Sequence, residues 1–287
     1  MRKPERAQRG VHHPQRIQQE RRAGRRSRRG RRRARDRDRS APAAPGSLRD
    51  PLTPRWSVVI PAFNEVRRLP SYLDAVVAYL EGRDEPYEVI VVDDGSTDGT
   101  SEVVEARRFP SVRVLRLSQN SGKGVAVRAG MLAARGAYRL FADADGATPI
   151  EELKRLEPAL VGGADVVIGS RVLVDPGVSV AARRHRVAAG RVFNWLVARL
   201  GLDAVADSQC GFKAFTAKSA GYLFEPLSTR GFGFDVELLL RAQTARYRIV
   251  EVPVNWVDRA GSKVGVLRHG PGMLWQIVRA RLGAGRW

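Results

Sequence analysis

The sequence predicts an α/β fold, a Rossmann-like and mostly parallel sheet with helices on both faces. From Trp56 onward, short apolar runs alternate with segments of helical periodicity, which is the pattern of βαβ units. The runs are rich in Val and Ile and lack polar alternation, as in strands that are covered on both faces. A polar loop follows each of the first five runs, at the sheet edge where open α/β folds bind ligands.

The chain after Trp56 begins with regular units. Five apolar runs predict strands, in the order WSVVIPAF, YEVIVVDD, VRVLRL, YRLFADAD and ADVVIGS. The segments between them predict helices over VRRLPSYLDAVVAYL, SEVVEARR, GKGVAVRAGMLAA and EELKRLEPAL. After Arg171 the alternation is less regular. There we expect a basic amphipathic segment over 180–202, a helix over FDVELLLRAQTA, a strand over IVEVPVNW and an amphipathic C-terminal segment.

Composition divides the chain into an Arg-rich tail over 1–52, one α/β domain over 53–270 and an amphipathic tail over 271–287. The formal net charge is +20, and 18 of the 50 Lys and Arg residues lie within residues 1–50. Repulsion between these charges and the scarcity of apolar residues predict disorder for the Arg-rich tail. It holds no aromatic side chain on which a base could stack, which argues against nucleic acid as a partner.

The composition also excludes several classes of protein. The single cysteine, Cys210, excludes an internal disulfide framework and a cysteine-based zinc cluster. The sequence holds no run of about 18 uncharged apolar residues that would span a bilayer. Its N-terminus lacks the apolar region of a secretory signal. We therefore expect a cytoplasmic protein.

The sharpest motif is Asp143-Ala144-Asp145, at the end of the fourth predicted strand. With the central residue turned away, both carboxylates can face one cation, and hard oxygen ligands suit Mg²⁺ or Mn²⁺ together with substrate phosphates. Such a cation offsets the charge of a departing diphosphate. Asp93 and Asp94 end the second strand, where their carboxylates can accept hydrogen bonds from a base and from ribose hydroxyls.

Two other nucleotide-binding motifs are excluded. A P-loop requires Gly at position 117, which is Leu117, and Ser or Thr after Gly122-Lys123, where Gly124 stands. The dinucleotide-binding fingerprint requires Gly or Ala at position 127, which is Val127.

Taken together, the motifs resemble family 2 inverting glycosyltransferases with the GT-A nucleotide-sugar-binding fold. The resemblance spans 56–265 and depends on SVVIPAFNE, VVDDGSTDGT, NSGKGVAVRAGM and ADADGATP in that order. The later motifs GSR, DSQCGFKAF, GFDVELL, EVPVNW and GSKV look like the dolichyl-phosphate β-glucosyltransferase branch of polyprenyl-phosphate glycosyltransferases. That branch implies transfer of glucose from UDP-glucose to a lipid phosphate, with a β-linked product.

The resemblance implies a set of donor-binding residues. Nucleotide contacts fall on Pro61, Phe63, Glu65, Val92 and Asp94. The Asp143-Ala144-Asp145 motif would contact the diphosphate, with Asp143 and Asp145 as metal ligands. Arg259 and Lys263 would belong to a loop that closes on the donor.

The resemblance also implies that three further residues occupy positions of catalytic residues in the family. Arg171 would lie between the donor diphosphate and the acceptor phosphate, Lys213 would attract the acceptor phosphate, and Asp207 occupies the position proposed for a base. A lipid phosphate is already largely anionic at neutral pH, so it needs positioning more than deprotonation. We therefore expect an orienting or electrostatic role for Asp207. Asp235 and Glu237 are expected to be buried ion-pair partners behind the site.

A polyprenyl phosphate lies in a bilayer, which requires the protein to bind a membrane surface. The segments 180–202 and 272–287 combine apolar stripes with Arg and Trp residues, including Trp195, Trp275 and Trp287. Basic amphipathic helices of this kind lie in the interface of anionic membranes. We expect peripheral attachment to the inner face of the membrane.

Three alternatives remain open. The same chemistry could use GDP-mannose or UDP-N-acetylglucosamine as the donor. A sugar-phosphate nucleotidyltransferase would carry a Gly-rich basic loop after the first strand, where this chain has PAFNE. A nucleic-acid-binding protein acting through its Arg-rich arm would bind with a steep salt dependence and would not need Asp143 or Asp145.

Overall fold

The computed structural model describes residues 53–181 and 205–259 and, between these ranges, Gly190, Trp195, Arg199 and Leu202. The Arg-rich tail over 1–52, most of the 180–202 segment, Lys263 and the amphipathic tail over 271–287 lie outside the described residues. The expectations for these parts stay predictions.

Seven strands form one sheet in the order β3-β2-β1-β4-β7-β5-β8. Their bounds are β1 Trp56–Ala62, β2 Tyr87–Asp93, β3 Val112–Arg116, β4 Tyr138–Ala142, β5 Val166–Ser170, β7 Phe212–Thr216 and β8 Ile249–Pro253. Two short strands, β6 Val180–Ala181 and β9 Trp256–Val257, pair in parallel as a second sheet. All neighbours in the large sheet pair in parallel except β7, which runs antiparallel to β4 and β5. The prediction of a mostly parallel sheet is confirmed.

The helices of the described residues pack on both faces of the large sheet. Their bounds are α1 Leu69–Glu81, α2 Thr100–Glu105, α3 Lys123–Ala133, α4 Leu153–Val161, α5 Ala217–Phe224 and α6 Phe234–Thr244, with a 3₁₀ turn over Ile150–Glu152 before α4. The helix α1 buries Leu69, Leu73, Val76 and Leu80, the stripe that its helical spacing predicts. On α3, a side chain at Gly130 would collide with Val59 and Val92, so this helix approaches the sheet closely.

The strand β7 and the helix α5 were not predicted from the sequence. The run Phe212–Thr216 lies after Arg171, where the regular alternation of strand and helix patterns ends, and it carries Lys213 at its second position. The structure accommodates this charge by burying Lys213 beside Asp235. In the antiparallel register, Ala142 of β4 pairs with Phe212, which brings the loop before β7 next to the Asp143-Ala144-Asp145 motif.

None of the described helices is long and apolar enough to cross a bilayer.

Candidate active site

The loops after β1 and β2 are joined to each other at the carboxyl edge of the sheet. Pro61 and Val92 are buried partners in the parallel register of these strands. Beyond them, Asn64 adopts a left-handed backbone with φ of 52°. Its N–H donates to the Ser96 hydroxyl at 2.9 Å, and its side-chain oxygen accepts from the N–H of Thr97 at 2.9 Å. The predicted nucleotide-binding loops therefore form one connected surface.

Two other residues of the first loop are also placed at this edge. Phe63 is half-buried, and Glu65 is buried with its N–H donating to the Thr100 hydroxyl at 2.8 Å. The Glu65 carboxylate accepts from Nε of Arg68 at 2.7 Å. This ion pair places an arginine at the beginning of α1, on the side of the site that holds Asp145.

Asp94 connects the end of β2 to the loop before α3. Its side-chain oxygens accept the backbone N–H groups of Ser121 at 2.7 Å and Gly122 at 2.9 Å, and the residue is 3% exposed. Asp93 accepts from the N–H of Ser96 and from the Ser101 hydroxyl. Both carboxylates, which the sequence assigned to a base and ribose, are thus occupied by donors of the chain itself. Asp94 fixes the position of the loop that leads to Lys123.

The Asp143-Ala144-Asp145 motif follows β4 as expected, with Ala144 buried between two partly exposed carboxylates. The N–H of Asp143 donates to the carbonyl of Gly211 at 2.9 Å, and a side chain at Gly211 would collide with the Asp143 carboxylate. Asp145 accepts from the N–H of Ala147 at 3.0 Å. Burial, and then the negative charge of Asp143, raise the pKa of Asp145.

Lys123 is a site residue that the sequence analysis missed. Its Nζ lies 2.6 Å from Oδ1 of Asp143 and within 6.0 Å of the ring centroids of Phe141, Phe232 and Phe234. Burial alone would lower the pKa of Lys123, but the contact with Asp143 and the charges of Asp235 and Asp145 together outweigh burial and raise the pKa. The available signal was the Gly-Lys-Gly sequence at the beginning of α3, which does not fit a P-loop but belongs to the NSGKGVAVRAGM motif of the family resemblance.

The two carboxylates of the motif fit a divalent cation. Their like charges and partial burial disfavour full ionisation of Asp145, and a cation between them would remove that cost. Within the described ranges, no group of three or more His, Cys, Asp or Glu residues could hold a metal ion by itself. Asp143 and Asp145 would therefore supply only two ligands, and phosphate oxygens or water would supply the others, as is usual for Mg²⁺.

Arg171 and Asp207 form a bidentate ion pair beyond β5. Nε and Nη2 of Arg171 each lie 2.7 Å from a different oxygen of Asp207, and the N–H of Arg171 donates to the same carboxylate at 2.9 Å. Asp207 is fully buried. Burial opposes its ionisation, but the charge and hydrogen bonds of Arg171, together with the charge of Lys213, outweigh burial and lower the pKa of Asp207. A carboxylate with a lowered pKa and both oxygens occupied is a poor general base.

Lys213 lies in the interior rather than on the open face of the site. Its Nζ donates to the carbonyl of Cys210 at 2.6 Å and to Asp235 at 2.5 Å, and both charged residues are buried. Burial is the main cause that raises the pKa of Asp235. Glu237 pairs with Arg241 at 2.8 Å, so the expectation of buried ion-pair partners is confirmed for Asp235 and Glu237.

A cavity of about 440 Å³ adjoins Asp145. Its lining includes Arg67, Arg68, Tyr72 and Arg259, of which Arg67 and Arg259 are exposed. The Arg68 guanidinium lies 3.9 Å from the Asp145 carboxylate. Arg259 and Asp145 thus line the same cavity, the closure of Arg259 on a donor stays a prediction, and Lys263 lies outside the described residues.

Comparison with known proteins identifies the class. Residues 57–228 match the family model described as glycosyl transferase family 2. The chain belongs to this family and is a glycosyltransferase.

The chain is also similar to individual members of this family. The chain is 40% identical over 259 residues to the dolichyl-phosphate beta-glucosyltransferase of Drosophila melanogaster, covering 84% of this chain and 79% of the relative. It is 39% identical to the human dolichyl-phosphate beta-glucosyltransferase, covering 84% and 80%. A crystal structure of Mycobacterium tuberculosis glucosyl-3-phosphoglycerate synthase with Mn²⁺ and UDP-glucose is similar in fold, with a TM-score of 0.60, 23% identity and coverage of 80% and 79%. The fold is therefore of the GT-A type.

Proposed function

We propose that the protein transfers glucose from UDP-glucose to a polyprenyl phosphate of the dolichyl type, with inversion to a β-linked lipid-phosphate sugar. The observation that carries this proposal is the position of two charged groups at one sheet edge. Asp143 and Asp145 follow β4, while the Arg171–Asp207 pair follows β5, and these strands are separated only by β7. The names of the relatives support the sugar and the acceptor.

The donor is proposed to bind over the loops after β1, β2 and β4. Pro61, Phe63, Glu65, Val92 and Asp94 form or support the surface for the nucleotide. A divalent cation, Mg²⁺ or Mn²⁺, held by Asp143 and Asp145 would offset the negative charge of the diphosphate as it departs. The cationic groups of Lys123, Arg68 and Arg259 surround the same motif and add to that stabilisation.

The acceptor phosphate is proposed to bind at Arg171. A phosphate monoester is anionic at neutral pH, so its oxygen can attack the sugar without a base. Asp207 then acts by orienting the Arg171 guanidinium, consistent with its buried bidentate contact. Lys213 supports this site from the interior, since its ammonium bonds to Asp235 rather than facing a ligand. Attack from the side opposite the leaving diphosphate gives the inverted product.

Peripheral attachment to an anionic membrane surface is proposed for access to the lipid. Trp195 is 55% exposed and the Arg199 guanidinium lies 4.8 Å from its ring centroid. Immediately after Arg171, Val172, Leu173 and Val174 are also exposed. Exposed Trp, Arg and aliphatic side chains are the groups that insert at a bilayer interface.

The test is a transfer assay with polyprenyl phosphate in detergent and labelled UDP-glucose, GDP-mannose or UDP-N-acetylglucosamine, with and without Mn²⁺. We expect metal-dependent transfer of glucose, its loss in Asp145→Asn and its retention in Asp74→Asn, a surface carboxylate paired with Arg107. The coupling constants of the product should identify a β linkage. Preferential transfer from another donor would replace the glucose assignment, and absence of transfer from all three would overturn the proposal.

A further inference from the structure

We propose that Glu251 and Trp256 are positioning residues that fix the direction of the Arg171 guanidinium. This inference rests on the proposed function, in which Arg171 binds the acceptor phosphate. Both residues belong to the segment that runs from β8 into β9, and neither is needed for the donor site described above.

Glu251 binds the backbone on which Asp207 is carried. Its two side-chain oxygens accept the N–H groups of consecutive residues, Ala206 at 2.7 Å and Asp207 at 2.9 Å. A carboxylate that accepts two adjacent N–H groups fixes the orientation of both peptide planes. The Asp207 backbone is therefore attached to the edge strand β8 rather than only to its own loop.

Asp207 transmits this constraint to Arg171. Its carboxylate is buried and receives three hydrogen bonds from Arg171, one from the backbone and two from the side chain. Any rotation of the guanidinium about its long axis would break at least one of these bonds. The in-plane direction of the guanidinium thus depends on where Asp207 lies.

Trp256 restricts the remaining freedom of the guanidinium. The Arg171 Cζ lies 5.6 Å from the ring centroid of Trp256, within the range of a cation–π contact. The backbone that carries this ring is fixed, because the backbone N–H of Trp256 donates to the carbonyl of Ser179 at 3.0 Å. The segment from β8 to β9 therefore acts on the guanidinium in two ways, directly through the Trp256 ring and indirectly through Glu251, which holds the backbone of Asp207.

The consequence is a guanidinium with one nitrogen left for a ligand. Nε and Nη2 are bonded to Asp207, while Nη1 has no hydrogen-bond partner among residues 53–181 and 205–259. The Arg171 side chain is 30% exposed. A phosphate oxygen can therefore approach a donor whose direction is already fixed, which lowers the entropic cost of binding.

The first test measures positioning without any substrate. In protein labelled with ¹⁵N-arginine, the Arg171 Nε–H signal is assigned by its absence in Arg171→Lys. We expect Glu251→Gln to accelerate its solvent exchange by about tenfold or more, because the amide presents an N–H₂ group to one of the two backbone donors. Glu88→Gln is the matched control, since Glu88 is a buried carboxylate that accepts the N–H of Arg135 far from Arg171 on the opposite edge of the sheet. Equal exchange in wild type and Glu251→Gln would overturn the proposal.

The second test measures the functional consequence by steady-state kinetics. Glu251→Gln should raise the KM for polyprenyl phosphate by about tenfold and leave the KM for UDP-glucose within about twofold. In the Arg171→Lys background the same substitution should have almost no further effect, because it acts through Arg171. Additive effects in the double variant, or equal effects on both substrates, would refute the positioning role.

Trp256 gives an independent variant that does not disturb the Asp207 backbone. Trp256→Leu should raise the KM for the lipid phosphate, while Trp256→Phe, which keeps an aromatic face, should recover most of the wild-type value. If wild type transfers no sugar, the proposed function fails, and the exchange measurement still decides whether Glu251 positions Arg171. If wild type transfers sugar and the variants behave as wild type, only the positioning role fails.

Discussion

Nζ of Lys123 lies 2.6 Å from Oδ1 of Asp143, so the ammonium at the beginning of α3 occupies a carboxylate that is proposed to hold a metal. A cation that binds this oxygen must compete with Lys123. The nearby diphosphate of a donor would offer the ammonium a new partner. Metal and donor binding are therefore expected to be coupled through this one side chain.

Replacing Lys123 separates its competition with the metal at Asp143 from its contact with the donor diphosphate. In Lys123→Met, Mn²⁺ should bind the free protein about tenfold more tightly, because its competitor at Asp143 is removed. UDP-glucose should bind the metal-loaded protein about tenfold more weakly, because a charge-assisted contact is lost. Calorimetric titration measures both, with Lys154→Met on the exposed face of α4 as the control. An unchanged Mn²⁺ affinity would contradict the competition.

The contact between Lys123 and Asp143 also shows which feature of the site could not be predicted from the sequence. The Val- and Ile-rich runs predicted β1 to β5 and therefore the loops at the sheet edge, since apolar periodicity is local. Which loop side chains meet depends on strand order and register, which periodicity does not contain. The antiparallel strand β7, which carries Lys213, was missed because it lies after Arg171, beyond the regular alternation of strands and helices that predicted β1 to β5. Its charge is compatible with burial only because Asp235, on α6, lies beside it.

The ion pair of Arg171 and Asp207 is a second contact that could not be predicted from the sequence. The two residues are 36 positions apart, and their individual roles were inferred from the resemblance, but the three bonds between them were not. The same holds for Asp94, whose partners are backbone N–H groups that any residue type provides. Motifs identified the chemical groups of the site, and the fold determined which groups are already occupied.

The lowered pKa of Asp207 leads to a prediction about pH. The folded pKa lies below the unfolded value of about 3.9, so the pair stabilises the fold fully above that pH and loses this contribution as pH falls through the folded pKa. Asp207 is thus ionised throughout the neutral range. Asp207→Asn should lower kcat/KM without changing the shape of its profile from about pH 5 to pH 9.

The same variant should reduce stability at neutral pH by about 1–3 kcal/mol. This is less than for a fully buried pair, because Arg171 is 30% exposed and can be rehydrated. Denaturant unfolding measures this change and allows kinetics to be compared at matched folded fractions. Loss of a pH-rate limb with an apparent pKa near neutrality would indicate instead that Asp207 acts as a base.

Lys213 and Asp235 are buried, and variants of this pair test whether Lys213 has a structural role in the interior or contacts the acceptor. Lys213→Met and Asp235→Asn should each destabilise the fold by about 3–5 kcal/mol, because each leaves an unpaired group in the interior. The double variant Lys213→Met/Asp235→Leu should regain much of the loss. If the folded double variant keeps its KM for polyprenyl phosphate, Lys213 has a structural role in the interior and does not bind the acceptor. A KM raised at least tenfold in the folded protein would favour direct contact.

The proposed membrane attachment can be measured by co-sedimentation with anionic vesicles. Deleting residues 272–287, which lie outside the described residues, should release most of the protein, because it removes Trp275, Trp287 and three Arg residues. Trp195→Ser should weaken binding further, since this indole is 55% exposed. Vesicles of neutral phosphatidylcholine serve as the control. Undiminished sedimentation of the truncated protein would exclude the C-terminal segment as the anchor.

Gly211 tests the geometry of the metal-binding motif without removing any charge. A Cβ at this position would collide with the Asp143 carboxylate, and the carbonyl of Gly211 already accepts the N–H of Asp143 at 2.9 Å. In Gly211→Ala the Asp143 carboxylate must leave the position in which it contacts Lys123 and is proposed to bind the cation. We expect UDP-glucose binding in the presence of Mn²⁺ to weaken by about tenfold or more, with a stability loss of about 1–3 kcal/mol.

Gly221 provides the matched control for this substitution. It lies on α5, where an added Cβ meets nothing within 4 Å. Gly221→Ala should therefore stabilise the protein by about 0.5–1 kcal/mol through helix propensity and leave donor binding unchanged. Binding of UDP-glucose without metal should be similar in both variants, since the nucleotide loops after β1 and β2 are untouched. A normal metal-dependent affinity in Gly211→Ala would mean that donor binding does not depend on the present orientation of the Asp143 carboxylate.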